Sequence, residues 1–158
     1  MIVIGDTSGL VAAVNSSDPE HQAARSAWRQ ASTTVVSPLV FAEIEHIMAR
    51  DGSRTAAYAV NDWLLEHART PRVEVPQVSA ETLRRARRVQ DRYADLRLDL
   101  TDAVNVILAE AYETAAVLTL DRRDFRTVRP LTEHEGFRLL PDDLETRGHP
   151  RRGHRRSR

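Results

Sequence analysis

MIVIGDTSGLVAAVN, residues 1–15, sets a β-branched run against an acid and then a run of helix formers. Met1–Gly5 predicts a short buried strand. Asp6 is suited to cap a helix over TSGLVAAVN. The same unit recurs along the chain. Thr34–Val36 predicts a second strand, and Ser37-Pro38 opens the helix LVFAEIEHIMAR, which stops near Asp51-Gly52. Ala116–Leu120 (AVLTL) predicts another buried strand, followed at once by Asp121. Phe137–Leu140 is a last short strand before Pro141.

Helices fill the gaps. Asp18-Pro19-Glu20 predicts a helix start, with Pro at the first helical position, running through HQAARSAWRQA. Thr101 is a good cap for a helix over Thr101–Thr114. Two further helices, Arg54–Ala68 and Ala80–Ala94, flank the extended piece Arg72–Pro76 and form a helical insertion. Short apolar strands alternating with amphipathic helices predict an α/β protein, three layers deep, with a central parallel sheet.

Composition narrows the chemistry. At 158 residues the chain makes one domain with a real core. It has no cysteine, which excludes disulfides, thiolate nucleophiles and cysteine-held zinc. All 23 residues counted as Lys or Arg are Arg. A P-loop, a receiver domain and Schiff-base chemistry each need a lysine, so all three fall away. No G-x-G-x-x-G follows the first strand, which removes a dinucleotide fold. The six His show no metal-pair spacing. No run approaches the roughly 18 apolar residues of a membrane span, and the start lacks a basic leader. The expectation is a cytoplasmic protein without membrane contact.

The zero net charge hides a split. Residues 147–158 carry six Arg and no acid, whereas residues 1–146 carry 17 Arg against 23 acids. The division expected is a folded domain over residues 1–143 and a basic, disordered tail over 144–158. The tail reads either as a solubilising extension or as an arm for nucleic acid. The Arg-rich stretch Leu83–Arg97 reads either as a solvated helix face or as a surface for phosphate.

Four acids stand where an open parallel sheet builds its sites. Asp6 and Asp121 each follow a strand directly. Asp6 could simply cap its helix, and Asp121 could begin a turn. On a wheel of about 100° per residue, Glu43 flanks the apolar arc of Val40, Ile44, Ile47 and Met48. An Arg partner is the ordinary explanation for such an acid. Asp102 opens its helix, a place the helix dipole favours by itself, and Asn105 shares its face. Asp99 either reaches the same region or faces solvent.

Together they say more. Side chains from four distant stretches can point into one crevice above the sheet. Unit charges about 4 Å apart repel by roughly 4 kcal/mol at an effective dielectric of 20. Either several are protonated or a hard divalent cation sits among them, and an all-oxygen set favours magnesium or manganese. Such a centre suits phosphodiester hydrolysis. The hydroxyl of Thr7 or Ser8 could position a phosphate.

IVIGDTSGLVA, SPLVFAEIEHIM, LDLTDAVNVILAEA and AVLTLDRRDFRTVRP, in this order over about residues 1–143, resemble the PIN-domain ribonucleases, specifically the VapC-type toxins of bacterial toxin–antitoxin pairs. The resemblance implies a PIN-like fold and a catalytic quartet of Asp6, Glu43, Asp102 and Asp121. It implies metal ligation chiefly by Asp6 and Asp102, with Glu43, Asp121 and Asp99 as further candidates. Thr7 and Ser8 match the small hydroxyl positions, and Asn105 a position beside the third acid. TLDRRDF matches Asp121, rather than Asp124, to the fourth acid. The implied activity is a magnesium-dependent endoribonuclease, with manganese as substitute. The implied partners are RNA, a cognate antitoxin and a second copy of the chain. Asp99 and the tail depart from the family pattern. A catalytically inactive α/β module that binds RNA or a protein is the alternative.

Overall fold

Alternation along the first strand sends Val3 to one face of the sheet and Ile4 to the other, and both are buried. Two apolar layers therefore form, one on each face, and the chain supplies helices to both. The computed structural model describes residues 1–144. In chain order it contains β1 (Ile2–Gly5), α1 (Thr7–Val14), α2 (His21–Gln30), β2 (Thr33–Val35), α3 (Pro38–Arg50), α4 (Arg54–His67) and β3 (Val73–Glu74). After these come α5 (Ala80–Arg92), a single 3-10 turn (Ala94–Leu96), α6 (Leu100–Ala111), β4 (Ala116–Leu118), α7 (Arg122–Thr127) and β5 (Arg138–Leu140).

All five strands are parallel, in the order β3-β2-β1-β4-β5. Val3, Leu118 and Leu140 face a core that includes Leu10, Trp28, Ile44 and Leu64 from α1 to α4. Ile4, Val117 and Leu139 face a second core with Val89, Val104, Ile107 and Phe125 from α5 to α7. This is the expected three-layer α/β/α fold. The helix-rich middle is more than an insertion. Its extended piece supplies β3, which pairs with β2 at the sheet edge.

The caps fall partly as read. Ser37 accepts a hydrogen bond from the Leu39 N–H at 3.2 Å, with Pro38 as the first residue of α3. Pro19 is not in a helix, because Asp18 accepts instead from the Glu20 N–H at 2.8 Å and builds a turn, so α2 begins at His21. Thr101 lies inside α6; the cap is Asp99, whose Oδ1 accepts from the Asp102 N–H at 2.8 Å. Leu144 packs against the α1–α4 core. The expectations for the Arg-rich tail fall outside the described residues.

Candidate active site

The strand order reverses between β1 and β4, and a crevice opens there beyond their carboxyl ends. Asp6 leaves β1 and donates its backbone N–H to the Leu118 carbonyl at 3.0 Å, which ties it to the end of β4. It sits at the cap position of α1, yet its carboxylate makes no capping bond. That carboxylate is held from three other places. The Thr119 hydroxyl donates to Oδ2 at 2.8 Å, the Ser8 hydroxyl to the same oxygen at 3.3 Å, and the Asn105 amide to Oδ1 at 3.3 Å.

Gly9 makes this closeness achievable. A Cβ at Gly9 would stand 2.3 Å from the Leu118 carbonyl oxygen, so any side chain would push α1 off the end of β4. With glycine there, Ser8 accepts from the Leu120 N–H at 2.9 Å and Thr119 accepts from the Asp121 N–H at 2.9 Å. The acids after β1 and β4 are thus fixed to one another through two hydroxyls. Thr119 was not among the residues singled out from the sequence, where AVLTL reads simply as a strand. Its signal is the hydroxyl two places before Asp121.

Asp6, Glu43, Asp99, Asp102 and Asp121 line one cleft of about 520 Å³, with Thr7 and Ser8 in its wall. Glu43 arrives from α3, Asp102 from the first turn of α6, and Asp121 as the cap of α7, accepting from the Asp124 N–H at 3.3 Å. Carboxylate oxygens of Asp102, Asp121 and Asp124 lie within 4.8 Å of one another. The cleft therefore gathers the four acids of the sequence reading together with Asp99 and Asp18, while Asp124 stands beside Asp102 and Asp121 with Arg123 3.7 Å away. A depression of about 590 Å³ on α3 and α4 is larger, but its one acid, Glu45, is paired with Arg54 at 3.2 Å.

The electrostatics are severe. Among the described residues no Arg or His comes within ion-pair distance of Asp6, Glu43, Asp99, Asp102 or Asp121. Burial, then the negative charges of Asp6, Asp99, Asp121 and Glu43, push the Asp102 carboxyl up to about 9. Burial also pushes Asp6 up to about 6, against the Thr119 hydrogen bond, with the Glu43 charge adding to the rise. Asp124 is raised by burial and by Asp121. Thr7 Oγ1 and Asn105 Oδ1 are buried without a hydrogen-bond partner. Hard oxygens, excess negative charge and orphaned polar atoms together fit a divalent cation, which would remove the repulsion and let Asp102 ionise.

Residues 3–130 match the PIN domain family. The chain is 36% identical over 130 residues to Ribonuclease VapC26 of Mycobacterium tuberculosis (strain ATCC 25618 / H37Rv), covering 82% of this chain and 93% of that protein. The chain belongs to the PIN-domain family, among the VapC-type ribonucleases. Two solved VapC-type structures share the fold. One is VapC20 of Mycobacterium tuberculosis, described as a sarcin–ricin loop cleaving toxin. Its TM-score is 0.67 at 22% identity, covering 78% of this chain and 92% of that one. The other is VapBC2 of Rickettsia felis, bound to a DNA fragment from its promoter. Its TM-score is 0.59 at 17% identity, covering 84% and 96% of the two chains. An acidic cluster of this kind is consistent with a metal-dependent VapC nuclease. No helix among the described residues is long and apolar enough to cross a membrane.

Proposed function

We propose that this protein is a magnesium-dependent endoribonuclease toxin of the cytoplasm, held in check by a cognate antitoxin. The observation that carries the reading is the cleft itself: Asp6, Asp18, Glu43, Asp99, Asp102 and Asp121 line it, and among the described residues no Arg or His, not even His46 in the same lining, comes within ion-pair distance of them. Asp6 and Asp102 would hold the metal, with Glu43, Asp121 and Asp99 at its margin, and manganese would substitute for magnesium. When bound, the cation supplies Lewis-acid stabilisation of charge at the scissile phosphodiester and acidifies water.

The remaining work falls to the chain. Thr119 and Asn105 hold both oxygens of Asp6 in one orientation, so the carboxylate need not reorganise as charge develops. Glu43 or Asp121 accepts the proton that the attacking water loses as its oxygen bonds phosphorus, and that proton, or one from solvent, returns to the ribose oxygen released as the other P–O bond breaks. The Thr7 hydroxyl, buried and unpartnered, is suited to a phosphate oxygen.

Likeness to VapC20 and VapBC2 supports, by analogy, a structured RNA as substrate and an antitoxin that also binds the promoter. We also propose a homodimer, a catalytic domain over residues 1–143 and a separate basic tail over 144–158. The test is cleavage of total RNA with end mapping, run in magnesium and in chelator. Wild type should give discrete ends in magnesium, and chelator or Asp6→Ala should abolish them. Equal cleavage by Asp6→Ala would refute the site. No binding heat at millimolar magnesium, with RNA still bound, would favour the inactive module.

A further inference from the structure

A chain whose residues 1–146 carry six more acids than arginines must meet a polyanion through local positive charge. Most arginines of the described residues are already taken. Arg122 and Arg126 pair with Asp142 and Asp143, Arg54 with Glu45, and Arg69 with Glu66. Arg72 is committed to the Trp28 and Ala31 carbonyls. The face of α5 is different. Arg85, Arg88, Val89 and Arg92 fall within roughly 100° of its circumference. With Ile107 of α6 and Leu131 they line a groove of about 260 Å³. The floor is apolar and the rim is arginine.

Charge balance on this rim favours an anion. Arg85 bonds Glu110, and Arg88 shares Glu81 with Arg84, two arginines against one acid. Arg92 has no carboxylate within ion-pair distance among the described residues, and the same holds for Arg97 and Arg129. The backbones of these three converge on Tyr93. Tyr93 follows Arg92, its hydroxyl accepts from the Arg129 N–H at 3.0 Å, and its carbonyl accepts from Leu96 just before Arg97. Asp91, the nearest acid on α5, is engaged by Arg87 at 2.8 Å, which leaves Asp95 as the one acid of the 3-10 turn.

The groove also points the right way. α5 runs antiparallel to α6: Arg85 meets Glu110 near the end of α6, while Gln90 donates to the Leu98 carbonyl just before its start. From Arg85 to Arg92 the rim advances about 10 Å along the helix, toward the end of α6 that carries Asp99 and Asp102.

We propose that this groove is the backbone-docking surface for RNA: arginines grip consecutive phosphates, the apolar floor takes a base or ribose face, and the strand continues into the acidic cleft. The proposal rests on the ribonuclease reading, and the experiment separates the two. Arg88→Gln/Arg92→Gln is compared with Arg84→Gln/Arg87→Gln, which removes the same charge from the rest of α5. Binding is measured by anisotropy on a structured RNA in chelator across a salt series, and kcat/KM in magnesium on that RNA and on a short single-stranded oligonucleotide. The groove pair should weaken binding about tenfold and lower the salt slope by about 1.5. It should cut kcat/KM on the structured RNA through KM, and leave kcat and the short oligonucleotide unchanged. An unchanged salt slope, or an equal loss in the control pair, overturns the proposal. So does a groove pair that keeps RNA but loses binding to polyglutamate, which would assign the surface to an acidic protein. If wild type cuts no RNA in any metal, the ribonuclease reading fails, while the chelated binding series still decides the groove.

Discussion

Asp6 and Asp102 on one side, and Asp142 and Asp143 on the other, occupy the same carboxyl edge of one sheet and are treated in opposite ways. Asp142 receives Arg122 at 2.5 and 2.9 Å, and Asp143 receives Arg126 twice at 2.7 Å. Those hydrogen bonds hold both carboxyls below the ordinary carboxylate range. In the cleft the shift runs upward for Asp6 and Asp102, because burial and like charge dominate. Arginine is not scarce at this edge, since α7 alone carries Arg122, Arg123 and Arg126. Arg122 and Arg126 are spent on the two acids after β5, Arg123 lies 3.7 Å from Asp124, and none of the three comes within ion-pair distance of Asp6 or Asp102. A structural carboxylate is neutralised by the chain; the cleft leaves its neutralisation to something that binds.

The hardest test of that contrast is Asp102→Asn, which keeps the shape and removes one charge. Activity in magnesium should fall about 10³-fold or more. In chelator the same protein should be more stable than wild type, because a carboxyl that resists ionisation is replaced by a neutral amide. Cleavage rates paired with thermal melts check both halves. A variant that lost activity and stability together would show that Asp102 is structural, like Asp142.

The pH dependence of the wild type is the next lever. Asp102 is raised from 3.8 to about 9 on folding. Between those values the unfolded chain has released the proton that the folded chain keeps, so stability must fall as pH rises through this window. Without metal we expect a loss on the order of 2–4 kcal/mol from pH 5 to pH 8, read from denaturant melts. Asp6, raised to about 6, steepens the acid end. Magnesium should restore stability, and more so at pH 8 than at pH 5. Melts insensitive to both pH and magnesium would break the contrast.

How much of this was legible beforehand depends on what kind of signal each residue carries. Asp6 and Asp121 were readable because a strand's end is marked by the apolar run before it, and Glu43 because helical periodicity placed it beside Ile44 and Ile47. The choice between Asp99 and Thr101 as cap was not. LDLTD contains two competent caps, and the backbone settles it by starting α6 at Leu100, although that leaves a large apolar side chain 37% exposed. The place of Asp124 beside Asp102 and Asp121 is not legible, because α7, a single short helix capped by Asp121, is too brief to show a period. The sheet order and the approach of α1 to β4 at Gly9 are long-range facts, and no local pattern encodes them.

Thr119 sharpens the contrast at a smaller scale, because with Ser8 and Asn105 it is one of three neutral donors to an acid that no Arg or His of the described residues pairs. Thr119→Val keeps the shape and deletes a hydroxyl that donates to Asp6 at 2.8 Å and accepts from Asp121 at 2.9 Å. The hydroxyl lowers the pKa of Asp6, so its loss should raise that pKa and misalign both acids. We expect magnesium affinity or kcat to fall about 10–100-fold, with Thr119→Ser recovering most of it. Calorimetry with magnesium and single-turnover cleavage report the two quantities separately.

The weakest effect belongs to the paired acids. Asp143 accepts from Arg126 and from the Leu139 N–H at 2.8 Å, so Asp143→Asn loses an ion pair but can keep the backbone bond through its amide oxygen. The Asp143 side chain is 31% exposed and that of Arg126 46%, and solvent screens the pair. The expected cost is about 0.5 kcal/mol, smaller still in high salt, with cleavage unchanged. Its pH signature has the opposite sign to that of Asp102. The folded pKa lies below the unfolded one, so the pair's contribution is present above about pH 4 and vanishes as pH falls through the folded value. Wild type and Asp143→Asn should therefore converge in stability as pH falls through the folded value and separate toward neutrality. Asp102→Asn and wild type, in chelator, should meet at low pH and separate with the variant above. If instead Asp143→Asn altered magnesium affinity, the two carboxylate groups would be one coupled system.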